Sequence, residues 1–354
     1  MRKNLIFPLA AVAAGIGMST WVSANPLERF QRARGSLPAA PPSTAQSGPQ
    51  AKGGMIADQG VHNEVHAAHQ GQIVFTRTDL GIGAISEAAI ASDFTLGQPM
   101  FFRVFTERSA VNAIAAANSL PASQVFADGV HYIARFTIAG QAFDTDIFPW
   151  GSRRDHETWT TWRGQFVNSI NAQRTPGSEA FLEMLSRATA AGLLKPGRHE
   201  VKMEVIPQTN TEKNGKLKAG PVAAGTFNLT VPAGVFQSGN PHICGAPRGA
   251  AGSAAIEARA FAQARQFWDW PDLTLVKAVA SGNDWKVERN EITGIPIERS
   301  TQVRIVARGA KYCTSHIHEF TEKYMGGGNF STSTGGISVN FTPGYVPCGC
   351  VGPS

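Results

Sequence analysis

The sequence predicts a mostly β protein with some α. An N-terminal β-sandwich of Ig-like or jelly-roll type is expected over residues 61–235. A smaller α+β domain is expected over 253–354, with one helix packed on an antiparallel sheet. Three observations carry that expectation. Apolar and polar residues alternate in short runs, most clearly Val201, Met203 and Val205 against Glu200, Lys202 and Glu204, which is the period of a half-buried strand. Gly, Pro and Asn turn signals separate these runs. A single run with helical spacing (Ile256, Ala260, Phe261, Ala264, Phe267 and Trp268) precedes a second set of strand-like segments, the order of a helix-on-sheet layer.

Residues 1–24 have the zones of an export signal: Arg2 and Lys3, an apolar core over 5–18, and small residues in Val22-Ser23-Ala24. That core is shorter than the roughly 20 residues a bilayer crossing needs. No later run is long and apolar enough either, so the mature chain is expected not to span a membrane. Cleavage after Ala24 removes the two charges of Arg2 and Lys3 and takes the formal net charge from +6 to +4. With interspersed signs and no lysine or arginine run, this balance offers no footprint for nucleic acid. Residues 25–60 read as a flexible linker, because Pro, Ala, Ser, Gln and Gly dominate 35–54 and bury too little apolar surface to offset the entropy of ordering.

Within the first domain, 72–76, 94–96, 99–106 and 132–138 read as strands, and the alanine-rich 110–118 as a helical connection. Ala139-Gly140-Gln141 turns the chain into a neighbouring strand holding Phe143 and Ile147. A helix is expected over 178–190, capped by Ser178, with Phe181, Leu182, Leu185 and Ala188 as its apolar stripe and Pro176-Gly177 as the stop before it. The strands 199–205 and 227–231 close the sandwich. Residues 236–252 are rich in glycine and lack periodicity, and read as the inter-domain linker.

Candidate sites are sparse. Trp150, Arg153, Arg154, Trp159 and Trp162 fall in one short stretch with Asp155, His156 and Glu157. Aromatic rings beside charged groups suit a polymer-binding face, since rings stack on apolar faces while carboxylates and guanidinia take hydroxyls. Asp144, Asp146 and Glu157 supply carboxylates that a hydrolase would use as an acid pair. His316 and His318, two apart on a strand, put both imidazoles on one face, a metal-ligand spacing that lacks a visible third ligand. His62, His66 and His69 have helical spacing but sit in a short segment between Gly60 and Gly71, and read as solvated polar residues. No cofactor motif is present, so none is expected.

All four cysteines, Cys244, Cys313, Cys348 and Cys350, lie beyond residue 235. An even count in an exported chain argues for disulfides. A Cys348–Cys350 bond would close a small strained ring, so each is expected to reach out, to Cys244 and Cys313 in one order or the other.

These readings define an exported, non-catalytic two-domain protein, secreted or periplasmic, that binds a surface polymer or a partner protein. The alternative is an extracellular hydrolase with carboxylates at 144–157. Export predicts a mature N-terminus at Asn25; N-terminal sequencing of secreted or periplasmic material checks it, and an intact Met1 there would overturn the reading.

Overall fold

In the computed structural model, residues 54–351 are described apart from 80, 82, 84, 150–154, 168–174, 211–215, 238–240, 245–251, 269, 281–283, 332–336 and 340–343. The export segment and all but the last residues of the linker expected at 25–60 lie outside the described residues, as does most of 236–252.

The first half begins with α1 (Glu64–Ala68), β1 (Ile73–Thr76), β2 (Asp93–Thr95), β3 (Met100–Phe105), α2 (Ala110–Asn118) and α3 (Ala122–Asp128). It continues through β4 (Val130–Ile138), β5 (Gln141–Ile147), β6 (Thr161–Val167), α4 (Pro176–Ala190), β7 (Gly197–Thr209) and β8 (Ala223–Val231). Then come α5 (Pro241–Cys244), α6 (Ala254–Phe267), β9 (Leu273–Ala280), β10 (Lys286–Arg289), β11 (Pro296–Gly309) and β12 (Cys313–Gly326). Three short strands, β13 (Asn329–Ser331), β14 (Ile337–Val339) and β15 (Gly344–Val346), lead to a 3-10 turn at Cys348–Cys350. The chain is mostly β, as expected, and the strands of the described residues form three sheets.

One sheet has the order β1-β3-β6 and a second the order β2-β8-β7-β4-β5, with β2 and β8 parallel and the other pairs antiparallel. Their apolar faces meet in one core. In β4, Val130, Tyr132, Ala134, Phe136 and Ile138 point inward, while Ile133, Arg135 and Thr137 are half-buried on the outer side. Val201, Met203 and Val205 of β7, and Phe227, Leu229 and Val231 of β8, continue the same face. Phe75, Phe166 and Phe227 lock the two sheets together, with the Phe75 and Phe227 ring centres 4.7 Å apart. Each fully buried ring contributes about 1.5–3 kcal/mol by leaving water.

The β4–β5 hairpin turns on Ala139 (φ 48) and Gly140 (φ 81), the two left-handed residues that match the twist of a two-residue hairpin. This is the turn the sequence indicates. Helix α4 starts earlier than expected. Thr175, not Ser178, is its N-cap: the Thr175 hydroxyl accepts from Ser178 N–H at 3.1 Å and the Ser178 hydroxyl accepts from Thr175 N–H at 2.7 Å. Pro176 fits the first helical position because its missing N–H would be unpaired there anyway, so Pro176-Gly177 opens the helix rather than stopping the segment before it. The expected stripe of Phe181, Leu182, Leu185 and Ala188 is buried.

The third sheet has the order β10-β11-β12-β13, with β9 also on β11 and β14 and β15 also on β12. Helix α6 covers one face, burying Ile256, Ala260 and Ala264 against Ala278, Ala280, Val303, Ile305 and Phe320. The other face carries Val279, Val306, Cys313 and Val346, and Ala190 of α4 packs against it. The expected disulfides are both present, as Cys244–Cys350 and Cys313–Cys348. The described residues all fall within a single compact unit over 46–354, and none of their helices is long and apolar enough to cross a membrane.

Gly225 in β8 is where β1 approaches most closely: a Cβ there would stand 2.2 Å from the Ile73 carbonyl oxygen. Gly225→Ala is therefore expected to cost about 2–3 kcal/mol through overpacking. Urea unfolding measures it, and a loss under about 0.5 kcal/mol would show that β1 does not lie on β8 in this way.

Candidate functional site

The outer face of the five-stranded sheet ends at the edge strand β5, and there side chains distant in sequence form a continuous polar and aromatic cluster. The pleat of β5 buries Phe143, Thr145 and Ile147 and turns Asp144 and Asp146 outward. Arg135, opposite Asp144 on β4, donates from Nε and Nη2 to its two oxygens at 2.7 and 2.8 Å. That hydrogen-bonded guanidinium holds the Asp144 carboxyl below the usual carboxylate range. Both partners are substantially exposed, so the pair stabilises the fold by at most about 1 kcal/mol. It fixes a charged surface more than it holds the structure.

His131 sits two residues before Ile133 on the same outer face. Its Nδ1 lies 2.6 Å from Asn210 Oδ1, its Nε2 lies 3.6 Å from Asp146 Oδ1, and the Gln208 amide contacts Nε2 closely. Burial lowers its basicity, against the opposing pull of Asn210 and Asp146. Phe148, one of the few exposed large apolar residues, lies against it with ring centres 5.9 Å apart.

Helix α4 adds the other half of the cluster. Arg187 donates to the Asp144 carbonyl at 2.8 Å, rests over the Phe143 ring and lies 3.5 Å from Glu183. Tyr345 from β15 lies beside Glu183, and it meets Tyr312 edge to face at 5.7 Å. Burial pushes the Glu183 carboxyl up to about 7; Arg187 opposes that rise and Asp146 adds to it. Burial also raises the Tyr345 phenol. The β5 edge thus carries Phe148, Arg135, Asp144 and Asp146 on its outer side, with Arg187, Glu183 and the half-buried Tyr345 and Tyr312 packed next to it.

The sequence-predicted residues distribute differently. Trp150, Arg153 and Arg154 lie outside the described residues. Trp162 is 3 % exposed, with its ring 5.6 Å from Phe102 and 5.3 Å from Tyr132. It is a core residue and presents no face to a polymer, which corrects its placement as a binding residue. Trp159 is half-buried against the same core. Its chain neighbours His156 and Glu157 are buried on the Tyr132 side of the sheet, opposite Asp144 and Asp146, while Asp155 is exposed. These carboxylates therefore do not converge in one pocket. His66, read from sequence as solvated, is buried with its ring nitrogens 2.8 and 3.1 Å from the carbonyl oxygens of Val61 and Thr106, whereas His69 turns to Gln72 and Glu87.

His316 and His318 share one buried face of β12, opposite Ile305 and Val303, with ring centres 6.1 Å apart. Trp268 and Trp270 meet His316 edge-on at 5.6 and 4.6 Å, and its Nε2 is 3.0 Å from the Thr314 hydroxyl. Among the described residues no group of three or more His, Cys, Asp or Glu side chains is placed to hold a metal ion. Further along the same face, Glu322 is buried and ion-paired to Arg259 of α6 at 3.1 Å and to Arg299 of β11 at 2.5 Å. Arg299 in turn is stacked between Trp285 and Phe330. This face reads as a polar core beneath α6.

A shallow groove of about 430 Å³ lies at the other end of the five-stranded sheet, beside the β4–β5 turn, Arg198 and Lys202. Its cations are already engaged, Arg198 by Asp93 at 2.5 Å and Lys202 by Glu204 at 2.8 Å.

Sequence reading reached Asp144 and Asp146 but missed Glu183, Arg187, Tyr312 and Tyr345. One signal was available: Glu183, Ser186 and Thr189 recur at spacing three beside the apolar stripe of α4, so the helix has a second, polar face. No family model matches the chain, and no curated protein or solved structure matches it.

Burial, with His318 adding to it, holds the His316 imidazole down at about 4, against 6.5 for a free one. The unfolded chain thus takes up a proton that the folded chain refuses. Stability is expected to be intact above pH 6.5 and lost as pH falls toward 4, by up to about 3 kcal/mol. His316→Gln should flatten that acid limb in urea titrations across this range, and an unchanged slope would assign the limb elsewhere.

Proposed function

We propose that this chain is an exported, non-catalytic binding protein that recognises a surface polymer along the outer edge of β5. Its first half is then an Ig-like or jelly-roll type sandwich serving as a rigid platform. The observation that carries the reading is the convergence on one open edge of Phe148, Tyr312 and Tyr345 with Arg135, Asp144, Asp146 and Arg187. Rings of this kind stack on apolar faces of a polymer, and fixed charges select its polar groups. Export is supported by the signal-like 1–24 segment and by the two disulfides, which belong to an oxidising compartment. The hydrolase alternative loses its footing because Asp144 is committed to Arg135 and Glu157 lies under the opposite face of the sheet.

A second reading, docking of a partner protein, is favoured by the β10–β11 hairpin. Val287, Ile292, Ile295 and Ile297 are all exposed there, Ile292 at 93 %, a clustering that solvent alone does not favour.

A polysaccharide array probed with the mature protein tests the first reading. Retention on one or more polymers is expected, weakened about tenfold by Phe148→Ala or Tyr312→Ala, the usual loss for truncating an aromatic anchor. No retention on any polymer, or retention unchanged in both variants, would overturn it.

A further inference from the structure

The third sheet ends on one side at β10. Among the described residues β10 pairs only with β11, and its whole length is exposed. Helix α6 packs on β9, β11 and β12 instead. A strand edge of this kind presents a row of N–H and C=O groups to any chain that can pair with it.

The hairpin itself tells which backbone groups point outward. The Asn290 N–H donates to the Ile295 carbonyl at 2.8 Å, so the backbone of Asn290 faces β11. Direction alternates along a strand. Glu288 and Lys286 therefore also turn their backbone groups toward β11, and Val287 and Arg289 turn theirs to the free edge. Pro296 agrees with this, because it stands opposite Arg289 and has no N–H to donate across the hairpin.

The order of side chains then selects a partner. β10 reads Lys286-Val287-Glu288-Arg289, so Lys286 and Glu288 share one face and Val287, 39 % exposed, lies on the other. Within the chain Glu288 stands directly opposite Glu298, and Glu298 stands opposite Lys323 of β12. Like charges placed so are destabilising, and the outer side of Glu288 lacks a cation. Among the described residues no ion pair uses Lys286 or Glu288.

We propose that β10 pairs with β10 of a second copy of this chain, antiparallel, across a two-fold axis at Val287. Val287 then meets its own counterpart, and their outward N–H and C=O groups bond each other. Lys286 of each copy falls opposite Glu288 of the other, at the positions where antiparallel side chains come closest. The row across the interface becomes Lys286 of the second copy, Glu288, Glu298 and Lys323, with a cation on the outer side of each acid. Neighbouring registers fail. Centring on Glu288 opposes two carboxylates, and centring on Lys286 opposes two ammonium groups. A centre between residues would set an outward backbone group against an inward one. An edge guarded by charges of one sign rejects every register, whereas these alternating signs admit this one. The pairing rests on the second reading above, docking through the β10–β11 hairpin, and names its occupant; polymer binding does not enter it.

So short an edge buries little area, and the dimer is expected to dissociate in the micromolar range, roughly 1–100 µM. Sedimentation equilibrium of the mature protein from about 1 to 300 µM tests it, with a reversible monomer–dimer equilibrium expected. Lys286→Glu and Glu288→Lys should each weaken the dimer at least about tenfold, because each sets two like-charge pairs across the axis. The double variant restores both opposite-charge pairs and should return to within about threefold of the wild type. An equimolar mixture of the two single variants should associate better than either alone. Both side chains are exposed, and circular dichroism checks that every variant keeps the fold. Val287→Cys should cross-link two copies on mild oxidation, since the paired Cα atoms stand about 5.5 Å apart, within disulfide reach. Arg289→Cys should not, its two copies being about 13 Å apart in this register. A monomer at every concentration would overturn the pairing, and would leave docking of a different protein at the hairpin intact, since that needs no self-association. A dimer that both charge reversals leave unchanged, or that the double variant fails to restore, overturns it as well. Equal cross-linking through Arg289→Cys and Val287→Cys does the same.

Discussion

The structure depends on one helix docking in two directions by two kinds of force. On one side, α4 buries Phe181, Leu182, Met184 and Leu185 among the phenylalanines that join the first two sheets. That attraction is strong but non-directional, worth about 1.5–3 kcal/mol per side chain. On its other side, Ser186 and Thr189 hydrogen-bond the backbone of Cys313 and Cys348. Those bonds contribute only about 0.5–1.5 kcal/mol each, but they fix position and register. Apolar burial anchors the helix, and polar contacts aim the third sheet at it.

The disulfides act at the same place. Cys313 and Cys348 are both partners of the polar face of α4 and are bonded to each other, and Cys350, two residues on, is bonded to Cys244 of α5. Each bridge constrains the unfolded chain and is worth about 2–4 kcal/mol. The tail therefore needs few apolar contacts of its own. Its β15 strand is three residues long, yet it delivers Tyr345 to the β5 edge. A covalent clip thus places an aromatic residue from the end of the chain beside Glu183 and Arg187 of α4.

The two polar regions differ in what surrounds them. On the α6-covered face of the third sheet, the buried Glu322 is paired by two arginines and His316 meets two tryptophan rings, so these groups already have partners. At the β5 edge, Asp146 is exposed, Glu183 sits between opposing influences, and Phe148 projects into solvent. Buried ionic groups that are fully paired serve packing and specificity. Partly paired groups at an aromatic, accessible edge are free to meet something else, which is why the candidate site lies there.

The sequence by itself determined the local elements. Alternation gave β4, β7 and β8 their inward and outward sides, Ala139-Gly140 gave the hairpin turn, and the stripe from Ile256 to Ala264 gave the helix on the last sheet. It also indicated that Cys348 and Cys350 would each bond outward. These features rest on periods of two or 3.6 and on backbone geometry, which act over a few residues. Only the tertiary structure decided which face of a tryptophan-rich stretch is buried, so Trp162 became core while Asp146 stayed outside. Only it joined Asp146, Glu183 and Tyr345, because sheet order and the docking of α4 set distances between residues that no local period relates.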